Sequence, residues 1–190
     1  MKEPRYAMTM DTSRCVGCHA CVFACQGENA LPEHGFRDWI EVETGGKFPH
    51  LTQQIRSHRC NHCETAPCVT ACPTGASHVS EGGTVLVTRH KCTGCKACMA
   101  ACPYDARYVH PEGYVDKCTF CLHRVKRNQQ PACVEVCPTQ ALTFGNLSDP
   151  NSEVAQKVSS RRHVVQRPSL GLEPQLYFLL PTAPLAQAGD

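Results

Sequence analysis

Sixteen cysteines in four groups of four constrain this chain more than anything else in it. The groups are Cys15, Cys18, Cys21 and Cys25; Cys60, Cys63, Cys68 and Cys72; Cys92, Cys95, Cys98 and Cys102; and Cys118, Cys121, Cys133 and Cys137. Groups one and three are spaced C-x2-C-x2-C-x3-C, and group three runs on into Pro103, which is the bacterial ferredoxin run in full. Group two widens one gap to x4 and group four widens it to x11, yet both keep the closing C-x3-C-Pro, with Pro73 and Pro138. Only group one lacks the proline, having Gln26. Three thiolates at this spacing wrap one loop around three irons of a cube. The fourth, three residues on at a helix start, reaches the other cluster of a pair. Four motifs working in pairs imply four 4Fe-4S clusters.

Other cysteine chemistries fit less well. Eight disulfides suit a secreted protein, but fixed x2 and x3 gaps between neighbours are not how disulfide frameworks are spaced. Zinc knuckles need two C-x2-C pairs across a longer span, which groups two and four could supply and the compact triplets of one and three could not. Cys15-Val16-Gly17-Cys18-His19 reads C-x-x-C-H, the c-type haem attachment signature. Using it for haem orphans Cys21 and Cys25, so His19 is taken as a chance neighbour.

The chain also repeats itself. Laying Cys15 on Cys92 aligns Arg14 with Lys91, Gly17 with Gly94, Ala20 with Ala97 and Ala24 with Ala101, and puts Ala7–Met10 on the β-rich Thr84–Val87. Both motifs are therefore expected to be entered from a strand. Pro67-Cys68-Val69 through Cys72-Pro73-Thr74 recurs as Ala132-Cys133-Val134 through Cys137-Pro138-Thr139, with Pro131 shifted by one. Glu81-Gly82-Gly83 between His78-Val79-Ser80 and Val85-Leu86-Val87 reads as a hairpin turn. The expected fold class is α+β, with two interleaved bacterial-ferredoxin-like units related by internal duplication and an extended C-terminal tail. The expected divisions are 1–54 with 111–150 for motifs one and four, 55–110 for motifs two and three, and 151–190 for a helix and partner-docking tail. Spacing alone also allows motif one to pair with two and three with four.

A basic residue precedes each motif: Arg14, Arg59, Lys91 and Lys117. Each either tunes an anionic cluster site or is a solvated side chain, and the sequence does not choose. Arg124, Lys126 and Arg127 read as a solvated or partner-facing loop. His62 and His123 read as neighbours of the ligands or exposed side chains, since cysteine completes the ligand count.

Composition excludes much else. Aromatic residues make up 6% of the chain, too little bulk for side-chain burial alone to stabilise it. A net charge of +2 gives no field that argues for nucleic acid. Met1–Met10 lacks the apolar region of a secretory signal and a twin-arginine opening, so no export signal of its own is expected. The most apolar stretch, Leu176–Leu180, is far shorter than the roughly 20 residues of a spanning helix. It reads equally as a strand on the chain's own surface or as a docking arm. No nucleophile–base pair, phosphate loop or carboxylate pair appears, so catalysis on this chain is not expected.

Several stretches are familiar together: Cys15-Val16-Gly17-Cys18, Cys60-Asn61-His62-Cys63, Cys68 to Ala76, Ala101 to Tyr108, Lys117 to Cys121 and Pro131-Ala132-Cys133. Through them the whole chain resembles the four-cluster iron-sulfur subunit of membrane-bound molybdopterin oxidoreductases. That family includes polysulfide, thiosulfate, tetrathionate, arsenate and dimethyl sulfoxide reductases, and the short polysulfide or thiosulfate type is the most similar. The resemblance implies a ligand pairing: Cys15, Cys18 and Cys21 with Cys137; Cys25 with Cys118, Cys121 and Cys133; Cys60, Cys63 and Cys68 with Cys102; and Cys72 with Cys92, Cys95 and Cys98. It implies a non-catalytic subunit relaying single electrons between an integral membrane quinone-binding subunit and a molybdopterin catalytic subunit. It also implies peripheral attachment to the cytoplasmic membrane, on the periplasmic face, after export with a twin-arginine partner. The rival functional readings are a soluble polyferredoxin shuttling between cytoplasmic enzymes and a structural zinc module.

Overall fold

The computed structural model describes residues 3–182. Positions 1–2 of the expected first unit and 183–190 of the expected tail lie outside the described residues. In chain order, strand β1 (Tyr6–Asp11) runs into the first cysteine loop and helix α1 (Ala20–Asn29), after which β2 (Asp38–Lys47) and β3 (His50–Arg59) form a long hairpin. Helix α2 (Pro67–Thr70) lies in the second motif, β4 (Ser77–Val79) and β5 (Val85–Val87) form the next hairpin, and α3 (Ala97–Ala100) lies in the third motif. Strands β6 (Tyr108–Val109) and β7 (Val115–Asp116) pair, and α4 (Leu122–Val125) and α5 (Ala132–Glu135) lie in the fourth motif. Strand β8 (Leu142–Asn146), helix α6 (Glu153–Ser160) and strands β9 (His163–Val164) and β10 (Leu176–Leu179) follow.

This is the α+β arrangement that the motifs imply. Strand β1 leads into Cys15 and β5 leads towards Cys92, as the repeat requires. Gly17 and Gly94 sit at matching positive φ angles of 66° and 67°, which lets each loop curl back on itself. The residue that starts each following helix, His19 or Lys96, is also left-handed, with φ of 60° and 64°. The hairpin expected around Glu81–Gly83 is present, with Ser77 opposite Val87 and Val79 opposite Val85.

In the C-terminal region the sequence left Leu176–Leu180 open between a strand and a docking arm. Leu176–Leu179 is not a docking arm but a strand of the chain's own sheet, running parallel to β1 with Met8 opposite Leu176 and Met10 opposite Phe178. The sheet order is β8-β1-β10-β9, so β10 is an interior strand. Leu176, Phe178 and Leu179 are buried because one face packs on the cluster motifs while α6 covers the other. On that second face the fully buried Val154 lies so close to Gly145 that a Cβ there would sit 3.2 Å from it. Helix α6 is started by the Ser152 hydroxyl, which accepts the Ala155 N–H at 3.2 Å.

The β2–β3 hairpin was not legible as such, and the division expected at 54/55 falls inside β3. Its base, Asp38 and Ser57–Arg59, is buried, whereas every residue from Glu41 to Gln54 is exposed.

Two buried cores fill the molecule. One joins Met8, Met10, Phe144, Leu176 and Phe178 of the sheet to Cys21, Val22, Phe120 and Cys133. The other joins Cys60, Cys63, Cys68 and Cys98 to Val85, Tyr104, Ala106 and Val115. Cys118 packs against both and marks their junction.

Candidate iron-sulfur centres

Twelve of the cysteines converge in three fours on separate places in these cores, and the remaining four lie around α2 and α3, where Cys98 is within electrostatic reach of both Cys68 and Cys72. Site A is a cavity lined by Cys15, Cys18, Cys21 and Cys137. Site B is lined by Cys25, Cys118, Cys121 and Cys133, and site C by Cys60, Cys63, Cys68 and Cys102. At site D, Cys98 of α3 lies within electrostatic reach of Cys72, just past α2, with Cys92 and Cys95 on the loop before α3. Among the described residues, no three His, Cys, Asp or Glu side chains close in on a point that would hold a single metal ion.

The fold strings the sites in a row. Helix α1 carries both Cys21 of site A and Cys25 of site B. Cys118 of site B packs against the core of site C and feels the charge of Cys60. Cys68 of site C lies in α2, and Cys72 of site D follows two residues after its end. The order is A, B, C, D. Cys18 and Cys95 at the two ends are exposed, and no cysteine of sites B or C is.

Burial resists ionisation of the thiols at these sites. Burial, with help from neighbouring thiolates, pushes the Cys63 thiol up to about 12, and burial pushes Cys118 up to about 11. Cys25 and Cys133 are driven higher still, burial again being the main cause. Metal binding needs the thiolate form, so loading a cluster here would release protons.

Hydrogen bonds to sulfur separate the sites. At the outer pair backbone amides donate, Ala141 N–H to Cys137 Sγ at 3.3 Å, Ser77 N–H to Cys72 Sγ at 3.3 Å and Val115 N–H to Cys92 Sγ at 3.4 Å, and the Arg107 guanidinium also reaches Cys98. Thr139 and Thr74 approach Cys137 and Cys72 at 3.8 and 3.7 Å, a repeat of the same local turn. At the inner pair, guanidinium groups are the close donors. Arg59 Nη1 donates to Cys133 Sγ at 2.9 Å, and Arg107 Nη2 donates to Cys68 Sγ at 2.8 Å and to Ser77 Oγ at 2.9 Å. Arg59 also donates to Ser57 Oγ and lies 3.2 Å from the Asp38 carboxylate.

The four basic residues that precede the motifs therefore divide two and two. Arg59 and Lys117 are buried, and Arg14 and Lys91 are exposed. Lys117 Nζ donates to the carbonyls of Val85 and Cys118 at the junction of the cores. His62 is buried there too, stacked on Phe120 with ring centroids 3.8 Å apart, and its Nδ1 accepts the Val85 N–H at 3.1 Å. Burial first, then Lys117 and Arg107, holds its imidazole well below the usual range, so it is neutral. His123 is exposed and meets Glu28 at 2.7 Å. Arg124 reaches the same carboxylate at 2.6 Å, so it knits the fourth-motif loop to α1. The Arg107–Cys68 and Asp38–Arg59 contacts escaped the sequence reading, because nothing local to either arginine points to its partner.

Residues 51–147 match the 4Fe-4S dicluster domain, and a second match to a domain of that description covers residues 14–76. The chain is 45% identical over 179 residues to the B subunit of polysulfide reductase from Wolinella succinogenes, with the match spanning 92% of the present sequence and 94% of the relative. It belongs to the 4Fe-4S dicluster family of iron-sulfur subunits. Within that family it is also 43% identical over 161 residues to the thiosulfate reductase electron transfer subunit PhsB of Salmonella typhi, covering 83% of each protein. Protein NrfC of Escherichia coli is 45% identical over 177 residues, with the match spanning 91% of the present sequence and 79% of the relative. As a family member the chain carries four 4Fe-4S clusters on its sixteen cysteines, and it is an electron-transfer subunit rather than a catalytic one. Among the described residues, no helix is long and apolar enough to cross a membrane.

Proposed function

We propose that this subunit is the fixed electron wire of a respiratory sulfur-compound reductase. It relays single electrons between an integral membrane quinone-binding subunit and a molybdopterin catalytic subunit, on the periplasmic face of the membrane. The observation that carries this reading is the row of four sulfur-lined sites with an exposed cysteine at each end. Each site holds one cluster: Cys15, Cys18, Cys21 and Cys137 at A; Cys25, Cys118, Cys121 and Cys133 at B; Cys60, Cys63, Cys68 and Cys102 at C; Cys72, Cys92, Cys95 and Cys98 at D. A bound 4Fe-4S cluster supplies a carrier of one electron at a time. The protein supplies the rest. Helix α1 places cysteines in two successive sites and α2 with the residues just after it does the same, the two cores exclude water from B and C, and the loops bring A and D to the surface.

The two ends differ, which supports two different partners. Position for position in the repeat, Thr12, Ser13, Val16, His19 and Phe23 near site A correspond to Arg89, His90, Thr93, Lys96 and Ala100 near site D. Val16 and Phe23 are 60% and 69% exposed, so the A end is collared by apolar side chains. His90 and Lys96 are exposed at the D end, where the A end has Ser13 and His19, while exposed Lys91 there matches exposed Arg14 at A. Sequence relatives named for polysulfide and thiosulfate reductases support a sulfur compound as the terminal substrate.

The test is to purify a tagged chain anaerobically from membranes of its native host. The expected result is co-purification with molybdenum and a quinone-binding subunit, and bleaching of the iron-sulfur absorbance by quinol. Recovery of the subunit alone from the soluble fraction, fully loaded and reduced by a cytoplasmic donor, would return it to the polyferredoxin class.

A further inference from the structure

We propose that Arg59 and Arg107 are positioning residues that raise the reduction potentials of the two inner clusters, each through a direct hydrogen bond to one ligand sulfur. The inference rests on the four-cluster reading above and adds a role that the cysteine motifs do not contain.

The two contacts are equivalent although they are built from unrelated parts of the chain. Cys133 and Cys68 occupy the same place in the duplicated motif, as the third cysteine of their groups. Each Sγ accepts a guanidinium N–H, at 2.9 and 2.8 Å, and each guanidinium is tied to a serine hydroxyl, Ser57 or Ser77. Yet Arg59 comes from the base of the β2–β3 hairpin, just before motif two, while Arg107 follows motif three. The same solution has been reached twice from different sequence positions. Both side chains are almost wholly buried, Arg59 at 1% and Arg107 at 6% exposure. At both, burial works against the charge and surrounding carboxylate or thiolates outweigh it, so the cation is fixed.

The physical need is specific to the inner sites. Reduction adds a negative charge to an already anionic centre, and a low-dielectric surrounding opposes that. Sites A and D have an exposed cysteine each, so water lies against part of their sulfur shell. Sites B and C do not, and a charged N–H held on a ligand sulfur stabilises the reduced form where water cannot. Asp38 opposes this at site B: its buried carboxylate lies 3.2 Å from Arg59 and offsets part of the cation's field.

That opposition gives a test by sign. The wild-type protein and the variants Arg107→Met, Arg107→Lys, Arg59→Lys and Asp38→Asn are loaded with clusters and titrated anaerobically. EPR follows each cluster's midpoint potential, and iron is counted in every sample. Arg107→Met is expected to lower one midpoint most, with a smaller fall at the cluster that Cys98 joins, and Arg107→Lys to lower both by less. Arg59→Lys is expected to lower most a different midpoint, and Asp38→Asn to raise that one, each with a smaller shift of the same sign at the cluster that Cys21 joins. Four unchanged midpoints in fully loaded Arg107→Met and Asp38→Asn proteins would overturn the proposal. So would loss of a whole cluster from the lysine variants, with the rest unshifted, because that would make the arginines structural props. A wild-type protein lacking the iron for four clusters would instead strike at the four-cluster reading itself.

Discussion

The inner and outer sites of this protein are built from the same duplicated motifs but live in different solvents. Sites B and C are walled by side chains of two cores, whereas sites A and D each open at a loop cysteine, Cys18 or Cys95. The difference is visible in what a single sequence signal becomes. A basic residue before each motif turns into a buried hydrogen-bonding cation at Arg59 and Lys117 and a solvated one at Arg14 and Lys91. Position along the row, rather than local sequence, decides which role each plays.

The comparison can be broken most sharply at the ligands. Cys68→Ser and Cys133→Ser remove sulfurs that the cores are packed around, and these proteins are expected to lose soluble yield and most of their iron. Cys18→Ser and Cys95→Ser act at the rim, and these proteins are expected to stay folded and lose only about four irons each. Iron per chain and recovered soluble protein measure both, and equal losses at rim and core would erase the distinction.

The next largest effect belongs to Asp116, which holds the buried Arg37 by a fork of contacts at 2.8–3.0 Å beside site B. Asp116→Ala leaves that guanidinium buried with Asn29 as its remaining partner, at an expected cost of about 3–5 kcal/mol in anaerobic denaturant unfolding. By contrast, Lys126→Ala breaks an ion pair with Glu81 in which both side chains are more than half exposed, and it is expected to change little.

The outer sites can be set against each other through their matching glycines. Gly17→Ala meets Ile55 at 3.3 Å and bears mainly the left-handed backbone strain of about 1–2 kcal/mol. Gly94→Ala drives a Cβ into the carbonyl oxygen of Gly113 and is expected to cost more, with cluster loss confined to one site. Thermal unfolding and iron counts of the two variants separate the cases.

A smaller effect is expected where the C-terminal region is tied to the strand that enters site A. Burial alone would raise the Asp11 carboxyl, but Arg161 and the Ser13 hydroxyl and amide outweigh it and hold it below the usual range. A depressed carboxylate contributes stability that is complete above its unfolded value and is lost as pH falls through the folded one. Arg161→Ala is therefore expected to cost about 1–3 kcal/mol near neutrality. Its deficit against the wild type should shrink as the pH drops below about 4.

The sites were far more legible in the sequence than the surroundings that distinguish them. Sixteen cysteines at fixed gaps are a local signal, because a loop that wraps a cube must return to it every third or fourth residue. The hairpin at Glu81–Gly83 and the strands entering motifs one and three were legible for the same reason. Arg59 and Cys133 are 74 residues apart, and nothing near either one points to the other. The segment Leu176–Leu180 offered a short apolar run without a partner, and only the sheet shows that β1 is that partner. The long β2–β3 hairpin was missed because its distal half packs on nothing and so carries no alternation of buried and exposed residues.

The account stands most directly on anaerobic iron and acid-labile sulfide analysis of the purified protein, with low-temperature EPR after stepwise reduction. It predicts about sixteen irons per chain and several mutually interacting cubane signals. Zinc in place of iron, or a colourless disulfide-bonded protein, would contradict it.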